Sequence, residues 1–214
     1  MEFLRDTAWL SQKVAMKELR FYYLEEHDIV SSAIRDEIGY LFPLMNPTIQ
    51  RDEANLIFMI EPEREHDLGK EGFEISKPNN VQFEISASQS IGLLYGLFNL
   101  YEQLITEQNK IDYPYKSVPD QAIRMINQWD NADASVERGY AGQSIFYYNN
   151  GFRNNFQLIR EYARLLASVG INAISINNVN VHQIETKFIT PEYLLDVQNV
   201  ATEFRRYGIK TFLI

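Results

Sequence analysis

From Arg124 to Gly142 a short apolar stretch, Met125-Ile126, runs into a loop dense in Asn, Asp, Glu, Arg and aromatic side chains. A buried strand needs only apolar side chains to hold its place, whereas a loop that orients a polar ligand needs donors, acceptors and a flat apolar face together. This segment supplies all three. Asn127 and Trp129 share parity at the end of a strand that starts near Ala122, so both project to one side at its C-terminal mouth. A second amide-rich loop, Asn177-Asn178-Val179-Asn180-Val181-His182, follows a later apolar run. Amides offer sugar hydroxyls both a donor and an acceptor, and an indole gives the C–H face of a pyranose an apolar plate. A carbohydrate ligand accounts for this combination.

Other chemistries fit these residues less well. Asp130, Asp133 and Glu137 could form a catalytic pair or a calcium loop, but they lack the glycine and terminal glutamate of a hand-like site. Loop capping, or pairing with Arg138, is the expected role. His27, His66 and His182 stand at no metal-ligand spacing, so no metal and no cofactor is expected. The absence of cysteine excludes disulfides, thiolate metal sites and cysteine nucleophiles together. Phe21-Tyr22-Tyr23 reads as packing rather than as a sugar platform.

The elements that must position these loops follow from hydrophobic period. Leu56–Ile60 and Val81–Ile85 read as strands, with a third over Glu71–Ser76, and Ser31–Leu41 reads as a helix. Ser88–Thr106 has the clearest helical period, with Leu94, Leu97, Phe98, Tyr101, Leu104 and Ile105 on one face. Gly92 and Gly96 within it imply close helix-to-sheet approach. Glu107–Gln121, with Pro114 and Pro119, is expected to be a linker, and the domain boundary is placed at 112/113. After it a pattern repeats: a helix over Arg160–Val169 closes at Gly170 before the strand Ile171–Ile176, and a helix over Tyr193–Tyr207 closes at Gly208 before Ile209–Ile214. Thr190-Pro191 is the expected cap of the second helix. Strands alternating with helices in this way imply parallel β/α architecture. Because the chain stops inside an apolar strand, the 214 residues are expected to be the front part of a longer protein.

With 45% hydrophobic residues the chain can bury a real core, and a net charge of −9 argues against nucleic acid or an anionic membrane as partner. The N-terminus lacks the basic start and continuous apolar core of a secretory signal, and nowhere do enough apolar residues run together to span a bilayer. With Met1 as the native start, the expected location is cytoplasmic.

Arg124-Met125-Ile126-Asn127-Gln128-Trp129-Asp130-Asn131, followed by Ser135-Val136-Glu137-Arg138-Gly139-Tyr140-Ala141-Gly142-Gln143-Ser144-Ile145-Phe146, resembles the α-glucuronidases of glycoside hydrolase family 67. Gly170-Ile171-Asn172-Ala173 with Asn177-Asn178-Val179-Asn180 is similar to the family's second strand and loop, and Gly92–Phe98 to the helix of its small N-terminal domain. Gln128 stands where the family often has histidine, and Ala132-Asp133-Ala134 where it usually has Leu-Asp-Gly. The resemblance implies a small N-terminal α/β accessory domain over residues 1–112, and from 113 to 214 the first three β/α units of a (β/α)8 barrel. It further implies inverting hydrolysis of the α-1,2 link between (4-O-methyl)glucuronic acid and xylose in xylan-derived oligosaccharides, with the catalytic carboxylates on later strands and none in this chain. By position, Trp129 and Val179 would sheathe the 4-O-methyl group, with Asn127 and Asn178 lining the same pocket. The expected partner is thus a glucuronic-acid-substituted xylooligosaccharide, with no nucleic acid and no membrane; a homodimer through a missing C-terminal region stays open. Two other readings remain beside this one: a non-catalytic carbohydrate-binding or interaction module on the same fold, and another barrel glycosidase family with a similar accessory domain.

Overall fold

The computed structural model describes residues 10, 14, 19–23, 28–106, 112–178, 180 and 182–213. The chain forms two compact units that divide between Asp120 and Gln121.

In the first unit, β1 (Arg20–Tyr22), β2 (Asn46–Pro47), β3 (Leu56–Ile60), β4 (Phe73–Asn79), β5 (Gln82–Ala87) and β6 (Tyr115–Ser117) form one sheet in the order β2-β1-β3-β5-β4-β6. The β2-β1-β3-β5 part is parallel, whereas β4 runs antiparallel to both β5 and β6. The helices α1 (Ile29–Leu41) and α3 (Ser90–Ile105) pack against each other, and α3 also packs on the sheet; the single-turn α2 spans Glu65–Leu68. Asp28 caps α1, its carboxylate accepting from the Ser31 amide at 2.9 Å. Leu94, Leu97, Phe98 and Tyr101 are buried as the helical period requires, while Leu104 and Ile105 are only half-buried. A Cβ on Gly92 would lie 2.3 Å from the Gly72 carbonyl oxygen, and one on Gly96 2.5 Å from Ile85, so both glycines serve close approach. Phe21 is buried and Tyr23 packs edge-on against Phe58, which makes the aromatic cluster a packing feature.

The stretch expected to be a linker contains β6, and the first unit therefore extends to Asp120 rather than closing at 112. Pro114 and Pro119 flank this strand without entering it, so neither removes a donor from the ladder.

In the second unit, β7 (Met125–Asn127), β10 (Ala173–Ser175) and β11 (Lys210–Phe212) are parallel, in the order β11-β10-β7. The helices α4 (Phe156–Ser168) and α5 (Leu194–Arg205) alternate with them along the chain, and a two-stranded hairpin, β8 (Tyr147–Tyr148) with β9 (Gly151–Phe152), precedes α4. Ile126, Ile174 and Thr211 stand in register on one face, and Met125, Asn127, Lys210 and Phe212 stand exposed on the other. The strands are shorter than their apolar runs. Before β7, the Asn172 side chain replaces ladder bonds by accepting from the Arg124 amide at 2.8 Å and donating to the Ala122 carbonyl at 2.9 Å. Gly170 and Gly208 adopt φ of 78° and 71°, the left-handed closure expected after each helix. The Thr190 cap is not formed. Its hydroxyl donates to the Lys187 carbonyl at 2.7 Å, closing a turn that follows Glu185–Lys187, and α5 begins after Tyr193 without a side-chain cap.

Rings from several of these elements make the second unit's core: Phe146 lies 6.1 Å from Phe204, and Tyr147 stacks on Phe188 at 5.2 Å. Arg160 on α4 grips Glu203 on α5 with two hydrogen bonds of 2.7 and 3.0 Å.

Candidate functional site

Because β7 and β10 are adjacent and parallel, the loops that follow them leave from the same end of the sheet. The first carries Trp129 and the second Asn178. Trp129 is 38% exposed, so its indole presents a face to solvent, and Asn127 is exposed on the strand with its side-chain oxygen accepting from the Ser175 hydroxyl. Val179, like Val181 and His27, lies outside the described residues.

Asn178 is buried and engaged. Its backbone amide donates to the Asp130 carbonyl at 2.9 Å, its side-chain nitrogen to Asn131 Oδ1 at 2.9 Å, and its side-chain oxygen accepts from the Asn180 amide at 2.9 Å. Asn131 completes the junction, donating to Ser135 Oγ at 2.9 Å and to the Glu137 carbonyl at 2.8 Å. The Glu137 amide in turn donates to the Trp129 carbonyl at 2.8 Å, so the turn that presents the indole is closed on itself and tied to the next loop. Sequence reading placed Asn178 at the site but attached no role to Asn131, whose partner stands 47 residues away.

The acidic residues of the loop hold its shape. Asp133 accepts from the Ser135 amide at 2.9 Å and from the Ser135 hydroxyl at 2.6 Å, which lowers its pKa below the usual aspartate range. Asp130 is buried, and burial raises its carboxyl above the usual range even though it accepts hydrogen bonds from the Ser144 side chain and the Ile145 amide. Glu185, which sequence reading missed, accepts from the Ala132 amide at 2.8 Å with a side chain only 2% exposed. No local signal marks it, since it is one acid in a polar stretch. Tyr147, fully buried, donates to the Ile176 carbonyl at 2.8 Å, and burial near Asp130 and Glu185 pushes its hydroxyl well above the ordinary tyrosine range. Gln128 donates to the Tyr162 hydroxyl. His66 instead contacts the Glu63 carbonyl at 2.7 Å, in the first unit. Chemically, the second unit displays an indole face and an amide beside it, while Asp130 and Glu185 are directed at loop backbone.

Residues 103–214 match the model of the glycosyl hydrolase family 67 middle domain. The chain belongs to glycosyl hydrolase family 67. It is 39% identical over 145 residues to a probable α-glucuronidase A of Aspergillus terreus, covering 67% of this chain and 16% of that protein. The α-glucuronidase A of Emericella nidulans is 42% identical over 125 residues, covering 56% of this chain and 14% of its own length. The chain thus spans about a sixth of the length of these relatives. In fold it is similar to a GH20 β-N-acetylhexosaminidase of Streptomyces coelicolor, with a TM-score of 0.59 at 12% identity, covering 92% of this chain and 42% of that one. Among the described residues no helix is long and apolar enough to cross a membrane.

Proposed function

We propose that this chain supplies one side of the substrate pocket of an α-glucuronidase that hydrolyses the α-1,2 link between (4-O-methyl)glucuronic acid and xylose in xylan-derived oligosaccharides. The observation that carries the reading is the junction of the Trp129 loop with the Asn178 loop at one end of a parallel sheet, in a member of family 67. Trp129 with Val179 forms the apolar sheath of the 4-O-methyl group, and Asn127 and Asn178 line the same pocket. The second unit, from Gln121 onward, begins a catalytic (β/α)8 barrel, and the first unit is its accessory domain. The exposed Met125 and Phe212 on one sheet face support this, since further β/α units would bury them. Inversion needs an acid and a base on opposite sides of the scissile bond. Asp130 and Glu185 are buried, each accepting from a loop amide, and suit neither task, which supports a reading with the catalytic carboxylates outside these residues.

The test compares the 214-residue chain with a protein carrying the whole family 67 architecture. Aldouronic acids are incubated with each, and glucuronic acid release is measured with the configuration of the product followed by NMR. Release with inverted configuration by the longer protein alone is the expected result. Release by the 214-residue chain would mean that Asp130, Asp133 or Glu137 acts catalytically.

A further inference from the structure

We propose that Glu185 is a positioning residue for Trp129, fastening the turn that presents the indole from the loop that follows β10. Glu185 Oε1 accepts from the Ala132 amide at 2.8 Å, while Oε2 is buried with no hydrogen-bond partner among the described residues. His182, 65% exposed, stands 3.7 Å from Oε1 through Nδ1. A carboxylate held in this way is costly to bury, and among the described residues its one direct hydrogen bond to backbone goes to the turn beside Trp129.

The route from Glu185 to the indole is short and continuous. Ala132 follows Asn131, whose side chain reaches Asn178, Ser135 and the Glu137 carbonyl. The Glu137 amide closes on the Trp129 carbonyl at 2.8 Å. Two side chains of the second loop therefore hold the first: Asn178 from the side of Asn131, and Glu185 from the side of Ala132. Removing either bond frees one flank of a turn whose outward face is Trp129. Ala134, within the same turn, has a φ of 81°, a conformation that an alanine adopts only when its surroundings enforce it.

The functional weight of this role rests on the reading that Trp129 walls the sugar pocket, but the positioning itself is measurable without substrate. The chain has two tryptophans, Trp9 and Trp129, so Trp9→Phe leaves Trp129 as its one indole. In that background Glu185→Met keeps side-chain length without the acceptor, and Glu185→Gln keeps the acceptor without the charge. Acrylamide quenching reports the exposure of Trp129, and hydrogen exchange by NMR reports the Glu137 amide. Glu185→Met should raise the quenching constant about twofold and speed Glu137 exchange about tenfold, the local loosening expected when one buried hydrogen bond is lost. Far-ultraviolet circular dichroism should not change, and Glu185→Gln should return both readouts to the starting values. Unchanged quenching and exchange in a folded Glu185→Met chain would overturn the proposal, as would a Glu185→Gln chain that behaves like Glu185→Met. Should Glu185→Met not fold, Glu185→Asp, which retracts the carboxylate by one methylene, is read in the same way. The pocket reading fails or stands separately, on the sugar preference of Trp129 variants.

Discussion

Asn178 Nδ2 donates to Asn131 Oδ1 across 2.9 Å, joining the loop after β10 to the loop after β7. Both residues are buried, so the bond substitutes for water that neither amide can reach. This makes a pair of loops, rather than a single one, the unit that presents Trp129.

Asn178→Ala leaves the buried oxygen of Asn131 without this donor, which costs about 1–3 kcal/mol. The transition of the second unit in urea should therefore move to lower concentration with an unchanged slope. A substitution at exposed Asn127 should cost much less. Equal midpoints for Asn178→Ala and the unsubstituted chain would show that the junction is not a stabilising contact.

Ala134 has a φ of 81°, in the left-handed region that favours glycine. The left-handed conformation costs an alanine roughly 1–2 kcal/mol, and the added freedom of glycine in the unfolded chain returns about 0.4–1 kcal/mol. Ala134→Gly should therefore stabilise the second unit by about 0.5–1 kcal/mol, visible as a higher urea midpoint. Ala134→Val, with a branched Cβ at the same φ, should do the opposite.

The hydrophobic pattern foretold much of the fold because its cues are local. Leu56–Ile60 is an uninterrupted apolar run and became a strand over those same residues, and the period of Ser90–Ile105 sets its buried face. Gly170 and Gly208 end their helices for a reason contained in a single residue type. Other elements were obscured by neighbours. Prolines on either side of Tyr115–Ser117 masked a strand, and the polar Asn149-Asn150, at φ of 51° and 60°, concealed the turn of a hairpin between aromatic residues. Thr190-Pro191 carried a cap signal that a nearer carbonyl claimed. At the candidate site, the polar loop that carries Trp129 stands out in the sequence by its composition, whereas Asn131–Asn178 and Ala132–Glu185 pair residues 47 and 53 apart and leave no periodic trace.

Asp130 should give the second unit a distinctive pH response. Burial raises its folded-state pKa above the unfolded value of about 3.9, so between these two values the folded chain retains a proton that the unfolded chain has released. Its contribution to stability is therefore present at low pH, falls as pH rises through that window, and is constant above it. Asp130→Asn removes this dependence while keeping an acceptor for the Ser144 and Ile145 donors. The stability of the unsubstituted chain relative to Asp130→Asn, from urea melts at a series of pH values, should thus decline from about pH 4 upward and then level off. A relative stability that instead rises with pH would mean that the hydrogen bonds outweigh burial.

Trp129 provides the last and most direct test of the proposed pocket, in the protein that carries the whole family 67 architecture. Its indole is 38% exposed and its carbonyl is pinned by the Glu137 amide, so the ring can be removed without taking out a core residue. If it walls the 4-O-methyl group, Trp129→Ala deletes the surface against which one methyl is buried, worth about 0.8 kcal/mol, or roughly a fourfold loss in preference for the methylated sugar. If the indole also orients the ring for attack, kcat falls in addition, since misplacement by an ångström can cost on the order of a hundredfold. Kinetics on matched methylated and unmethylated aldouronic acids separate the two effects, the ratio of kcat/KM values reading the wall and the common fall in kcat reading orientation. A preference ratio unchanged by Trp129→Ala, in a protein whose circular dichroism is also unchanged, would reassign Trp129 to packing and move the methyl-binding surface elsewhere.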